Sequence, residues 1–308
     1  MRRIVGIVIL AIGVLLLVVH YALKMQDIGV VFGIVTIVVG GAILGLSFIP
    51  QPEPGADAPP PLAPADRITG VFYEPDRVFK NLRYYPRWLA AFLVLVFFSL
   101  VFQVAFTQRV TPERIAAETA DRVIEGGFLP NNVNPEDFKR VQIEQAKSPV
   151  VRITGAVSLI EWTLIGMLFL AGLYMLCVLA FGGRINFWQA LTVATYGTLP
   201  QVVIMSLLNL ILLYAKSAED IDALKGARGL ARADLGLLFS PADHPQLFVI
   251  GSAISIFSLY GWWVTVTGLH HVSTKLSKGS AWTIAFILWL LGLTLGLVLS
   301  LIFPSFIK

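Results

Sequence analysis

Charge is scarce in this chain. Asp, Glu, Lys and Arg make up 14% of its 308 residues, and apolar residues make up 56%. So little charge cannot cover a soluble domain of this size. A mean hydropathy of +0.78 agrees. Cysteine is scarcer still, with Cys177 alone. An intramolecular disulfide is therefore excluded, and thiol redox chemistry and a cysteine metal site are not expected. Cys177 reads as a small apolar packing residue. No H-E-x-x-H, Walker loop or G-x-S-x-G motif occurs. His270 and His271 are adjacent, so on a helix they point in different directions and make poor joint ligands. No catalytic residue, cofactor site or metal site is read, and the chain is not expected to be an enzyme.

What the sequence has instead is long apolar runs. Seven are near the roughly 20 residues that a helix needs to cross a bilayer. They are Ile4–Leu23, Ile28–Ile49, Trp88–Phe106, Ala156–Phe181, Phe187–Tyr214, Leu247–Leu269 and Ala281–Phe303. Backbone groups in lipid must be satisfied within the segment, which leaves helices or closed barrels. A barrel would show short alternating strands, and these runs are continuous. The expectation is an all-α integral membrane protein with about seven transmembrane helices. Arg2 and Arg3 precede the first run in the manner of a signal peptide. That run is long for an h-region and no small-x-small site follows it, so it reads as an uncleaved anchor.

Basic residues set the orientation. With the N-terminus in the cytoplasm, Arg2, Arg3, Arg67, Arg77, Lys80, Arg83, Arg87, Arg184, Lys275 and Lys278 lie inside. Only Glu53, Asp57, Asp66, Glu74 and Asp76 oppose them there. Acidic and basic residues balance on the other side, and seven spans place the C-terminus outside.

Prolines divide the chain. The segment from Pro50 to Pro64 is too rich in proline for a helix or sheet interior and favours polyproline II. The expected organisation is a two-span hairpin over 1–49, a linker over 50–69 and a five-span domain over 70–308. Pro61 to Pro64 also fits the minimal PxxP pattern, with a plain spacer as the simpler reading. In the hairpin, Gly29/Gly33 and Gly41/Gly45 are spaced by four. They are expected to pack the second span against the first, or alternatively against a second copy.

After the linker, Pro75 is set to begin a short helix with Glu74 and Asp76 at its start. Val78, Phe79 and Leu82 share one face, and Arg77, Lys80 and Arg83 lie largely elsewhere. With Trp88 nearby, this reads as a basic amphipathic segment lying in the cytoplasmic membrane interface. An ordinary juxtamembrane anchor is the simpler alternative. Outer-side loops are expected over 107–155 and 216–246. The first holds helix starts at Thr111-Pro-Glu-Arg and Asn134-Pro-Glu-Asp. Its charges balance, so it is no funnel for nucleic acid.

Few polar groups fall within the runs. Glu161 is the one acid, and it is either a structural or interfacial group or a proton or ion site. It is close enough to the helix end to meet outer-side water, Arg152 or a neighbouring loop. Pro200 interrupts the fifth run and should kink it, either to shape the bundle or to free carbonyls for an ion. Tyr196 and Gln201 are among the residues placed to solvate such a kink.

The order of several motifs resembles a known family. Tyr73-Glu-Pro-Asp-Arg-Val-Phe precedes the first span of the second domain. Phe181-Gly-Gly-Arg-Ile-Asn-Phe-Trp-Gln-Ala-Leu joins two spans. Tyr196-Gly-Thr-Leu-Pro200, Phe257-Ser-Leu-Tyr-Gly and Ser277-Lys-Gly-Ser-Ala281 follow. Over roughly residues 70–303 this is similar to the Yip domain family, the Ypt/Rab-interacting membrane proteins, and most to its bacterial members. The resemblance implies a five-span helical domain with a cytoplasmic N-terminal side, in a bacterial cytoplasmic membrane. Eukaryotic members are associated with vesicle traffic, Rab GTPases and membrane shaping, a role that does not transfer to bacteria, which lack Rab proteins. Bacterial relatives often carry an acid where this chain has Ser255, which makes Ser255 a further candidate. The expected function is a non-enzymatic scaffold, with a small transporter or channel using Glu161 and Pro200 as the alternative. Expected partners are the lipid bilayer and other membrane proteins or a second copy of the chain, not nucleic acid.

Overall fold

A computed structural model describes residues 2–23, 30–55, 58–227, 229–240 and 243–302. It is all-helical. The helices are α1 (Arg2–Leu23), α2 (Val30–Leu46), α3 (Pro64–Gly70), α4 (Pro75–Leu82), α5 (Leu89–Val110), α6 (Pro112–Glu125) and α7 (Pro135–Lys147). They continue with α8 (Pro149–Ala180), α9 (Phe187–Ala215), α10 (Ala223–Ala227), α11 (Pro245–Ser252), α12 (Ile256–Val272) and α13 (Lys278–Ile302). Among the described residues the only β pairing is two isolated bridges, Arg184–Thr274 and Asp234–Ser255.

Five helices are long and apolar enough to cross a membrane: Arg3–Ala22, Leu89–Val110, Pro149–Ala180, Phe187–Ala215 and Lys278–Ile302. Their outward side chains, such as Leu93, Phe97, Phe169, Leu176 and Leu295, are exposed apolar groups. Such a surface suits lipid. Helix α2 is apolar but has only 17 residues, about 25 Å of rise. The sixth apolar run is not one helix. It breaks between Ser252 and Ile256, because Ser255 caps α12 and leaves the helical conformation to do so. Seven runs thus become five long helices, one short one and one interrupted run.

The chain forms two compact units, each from non-contiguous segments. The first comprises Met1–Pro50, Leu100–Gly166 and Leu213–Arg228. Here α1 and α2 pack antiparallel at very close range. A Cβ on Gly40 would lie 2.5 Å from the Leu10 backbone nitrogen, and one on Gly6 would lie 2.7 Å from that of Leu44. Gly13 meets Ile37, and Gly33 meets Leu17, in the same register. The contact therefore runs on glycines seven residues apart, two turns, rather than on the four-residue pairs of the sequence. Gly33 takes part as expected. Gly41 and Gly45 face open space, and Gly29 lies outside the described residues.

The two helix starts in the long polar segment fall at α6 and α7. Thr111 accepts from Arg114 N at 3.4 Å, and Asn134 accepts from Glu136 N at 2.8 Å. Lys139 of α7 reaches Asp121 of α6 at 2.7 Å. Arg114 and Glu118 of α6 also hold the segment after α9. Arg114 donates to the Ala218 and Ile221 carbonyls at 2.7 Å, and Glu118 accepts from Ala223 N at 3.0 Å.

The second unit comprises Gln51–Ser99, Met167–Leu212 and Gly229–Lys308. Its core includes Val71, Phe79, Leu82, Leu95, Leu191, Tyr196, Leu199, Leu269 and Ile284. Helices α9 and α12 run antiparallel. Gly197 sits against Thr265, Gly261 against Gln201, and Gly268 against Val193 and Phe79. The turn after α8 needs glycine at 182, where φ is +76°. Arg184 and Thr274 exchange two backbone hydrogen bonds of 2.9 Å, which join that turn to the one after α12.

Candidate functional site

The short helices α3 and α4 are locked onto α9 and α12. Phe79 is fully buried against Gly268. Tyr260 of α12 donates to the Phe72 carbonyl at 2.8 Å, and Gln189 of α9 donates to the Arg83 carbonyl at 2.7 Å. His271 Nε2 lies 2.6 Å from Asp76 Oδ1, while His270 Nδ1 donates to the Leu276 carbonyl at 3.0 Å. The two adjacent histidines thus serve different partners. Among the described residues no three His, Cys, Asp or Glu side chains gather as metal ligands.

The amphipathic segment is therefore arranged differently from a helix floating in the interface. The apolar face of α4 (Val78, Phe79 and Leu82) is buried in the protein. Protein, not lipid, takes up that face because α12 offers glycine at 268. Arg77 and Lys80 remain exposed. Arg77 pairs with Glu74 at 3.1 Å, and Arg83 lies 5.7 Å from the Tyr84 ring centroid. Trp88 is half-buried, edge-on to Phe92.

The proline linker is held as well. Asn81, buried in α4, donates to the Pro60 carbonyl at 2.9 Å and accepts from Leu62 N at 3.2 Å. Leu62 of the PxxP stretch, and Pro60 just before it, are thus pinned to α4.

Tyr196 is fully buried, and its hydroxyl donates to the Arg87 carbonyl at 3.4 Å. Beside it lies Arg67 of α3, only 2% exposed. Burial pushes the Arg67 guanidinium below the usual arginine range, against the opposing effect of Tyr196 and with the nearby Arg87 charge adding to it. Nothing in the sequence marks Arg67 apart from the other cations of its segment.

Pro200 lies inside α9, which continues through it from Phe187 to Ala215. Gln201, one residue on, packs against Gly261. Ser255 is the N-cap of α12. It accepts from Ser258 N at 2.9 Å, and its own N–H donates to Ser258 Oγ at 2.9 Å. The rest of the break is also satisfied. The Ile254 carbonyl accepts from Leu235 N at 3.1 Å, and the Ala253 carbonyl accepts from Trp289 Nε1 at 3.1 Å. Asn209 organises the approach to this region by accepting from Leu230 N and Ala231 N at 2.7 and 2.6 Å. Arg232 pairs with Asp234 at 2.9 Å and covers the Phe248 ring at 4.8 Å.

Glu161 belongs to the first unit. It is 6% exposed, and Oε1 lies 2.7 Å from Thr36 Oγ1. The Thr36 hydroxyl also lies 2.9 Å from the Phe32 carbonyl, so one proton serves two acceptors. Oε2 is buried without a partner among the described residues. The hydroxyl of Thr36 on α2 is thus the hydrogen-bond partner of Glu161 among the described residues.

Long apolar helices, an interrupted helix closed on itself and a docked amphipathic cap define a multi-pass helical membrane protein. The family model of the Yip1 domain matches residues 69–300, well over half of the chain, and the protein belongs to that family. No curated protein and no solved structure matches the chain.

Proposed function

We propose that this protein is a non-enzymatic membrane scaffold that gathers anionic lipids, or acidic surfaces of partner membrane proteins, on its cytoplasmic side. In this reading it crosses a bacterial cytoplasmic membrane seven times, as two spans and then five. The N-terminus is inside, the C-terminus is outside, and α11 with α12 counts as one crossing. The observation that carries the reading is the two-faced α4. Its apolar face is consumed by α12, while Arg77 and Lys80 stay in solvent. Cations on a docked helix lose less freedom when they meet phosphate groups than cations on a loose tail. Each contributes about 1 kcal/mol beside an anionic leaflet.

A transporter draws less support. Such proteins use unwound carbonyls to hold ions, and here Leu235 and Trp289 occupy the carbonyls at the break. The full chain, reconstituted with mixed zwitterionic and anionic lipid, provides the test. Spin-labelled lipids should show an anionic preference that drops several-fold in the R77Q/K80Q/R83Q variant and weakens with salt. Equal preference in both proteins overturns the lipid part of the reading. Ion or solute flux that is lost in Glu161→Gln would revive the transporter.

A further inference from the structure

Arg67 heads the large side chains that are fully enclosed, at 2% exposure. Its Nε and Nη1 are buried without a hydrogen-bond partner among the described residues. The ionisable groups that act on it are Tyr196 and Arg87, a phenol and a second cation. Asp66, its sequence neighbour, is exposed. A buried guanidinium with free donors and no facing carboxylate is a costly arrangement, and an anion would offset that cost. Arg87 is exposed, and its backbone carbonyl accepts from the Tyr196 hydroxyl.

We infer that Arg67 and Arg87 form a binding site for a phosphate-bearing anion, entered from the Arg87 side and backed by Tyr196. Guanidinium groups suit phosphate because they are planar, permanently charged and weakly hydrated. The phosphate comes either from a lipid headgroup or from free phosphate in solution. The inference rests on the scaffold reading only in placing this face of the protein at the headgroups. The cations are different ones. Arg77, Lys80 and Arg83 give a diffuse preference for lipid, whereas Arg67 and Arg87 hold one anion.

The experiment uses the full-length protein purified from anionic liposomes. Native mass spectrometry after extensive detergent washing reads retained phospholipid. Thermal unfolding in inorganic phosphate, against chloride at equal ionic strength, reads free phosphate. Wild type is expected to keep a single phospholipid, and R67Q and R87Q to lose it by about tenfold or more. R67K, which keeps the charge, should restore part of the retention. R77Q/K80Q/R83Q should retain the lipid. If lipid washes away but phosphate stabilises wild type and not R87Q, the site stands and free phosphate is its ligand. Unchanged retention and unchanged phosphate response in R87Q overturn the site. Loss in the triple variant with none in R87Q also overturns it, and leaves the scaffold reading intact. Should R67Q fail to fold, exposed Arg87 decides the matter alone.

Discussion

In the α1–α2 hairpin of the first unit, the atoms facing Gly6, Gly13 and Gly40 include backbone nitrogens of Leu44, Ile37 and Leu10. Where α12 meets α9 and α4 in the second unit, the atoms facing Gly197, Gly261 and Gly268 are mainly side-chain ends. Thr265 Oγ1 meets the first, Gln201 Oε1 the second, and the Phe79 ring the third. Both contacts are close, but they differ in what can yield. A backbone nitrogen cannot turn away from an added methyl group, whereas Gln201 can change rotamer. Close packing of this kind supplies much of helix association in lipid, where burial from water does not drive it. The hairpin should therefore be the brittle contact and the α9–α12 contact the tolerant one.

Substitutions can break that contrast. Gly40→Ala is expected to destabilise the hairpin by about 2 kcal/mol, because an overpacking cost of up to about 3 exceeds the roughly 1 that alanine returns in helix propensity. Denaturation of the full chain in mixed micelles measures it, and a neutral result would show that the helices simply move apart. Thr36→Val removes the hydroxyl beside Glu161 and should cost about 1 kcal/mol in the same assay. A larger loss would mean that the polar pair, not the glycines, holds α2. Gly41→Ala fills open space and should gain about 1 kcal/mol from propensity alone. Gly261→Ala should fall within about 0.5 kcal/mol of neutral, because Gln201 can turn aside. A cost as large as that at Gly40 would erase the distinction between the two contacts.

Hydropathy made the membrane helices legible, because it sums over some twenty residues and tolerates local exceptions. The same averaging hid the break at Ser255. Phe248 to Phe257 averages as apolar despite Ser252 and Ser255, and the serine cap uses Ser258 where a glutamate would have announced it. Capping residues at Thr111 and Asn134 were readable because they act within three residues of themselves. Partners far apart in sequence were not readable. Thr36 and Glu161 are 125 positions apart, and neither position suggests the other. The glycine contact was half legible. A spacing of four drew attention to Gly33 but also to Gly41 and Gly45, which face away. Arg67 left no mark, since a cation that will be enclosed looks like any other in a basic segment.

The closed break between α11 and α12 also bears on the order of assembly during synthesis. Leu235, Ser255 and Ser258 are translated early enough for their bonds to form while the next helix is still on the ribosome. Trp289 is not, because it lies 36 residues beyond Ala253, whose carbonyl it caps. Until α13 arrives, that carbonyl has no indole, and Trp262 lacks the ring that later packs edge-on against it at 5.2 Å. The interrupted helix is thus finished by the one that follows it, and a chain arrested before Trp289 would carry the break in an incomplete form.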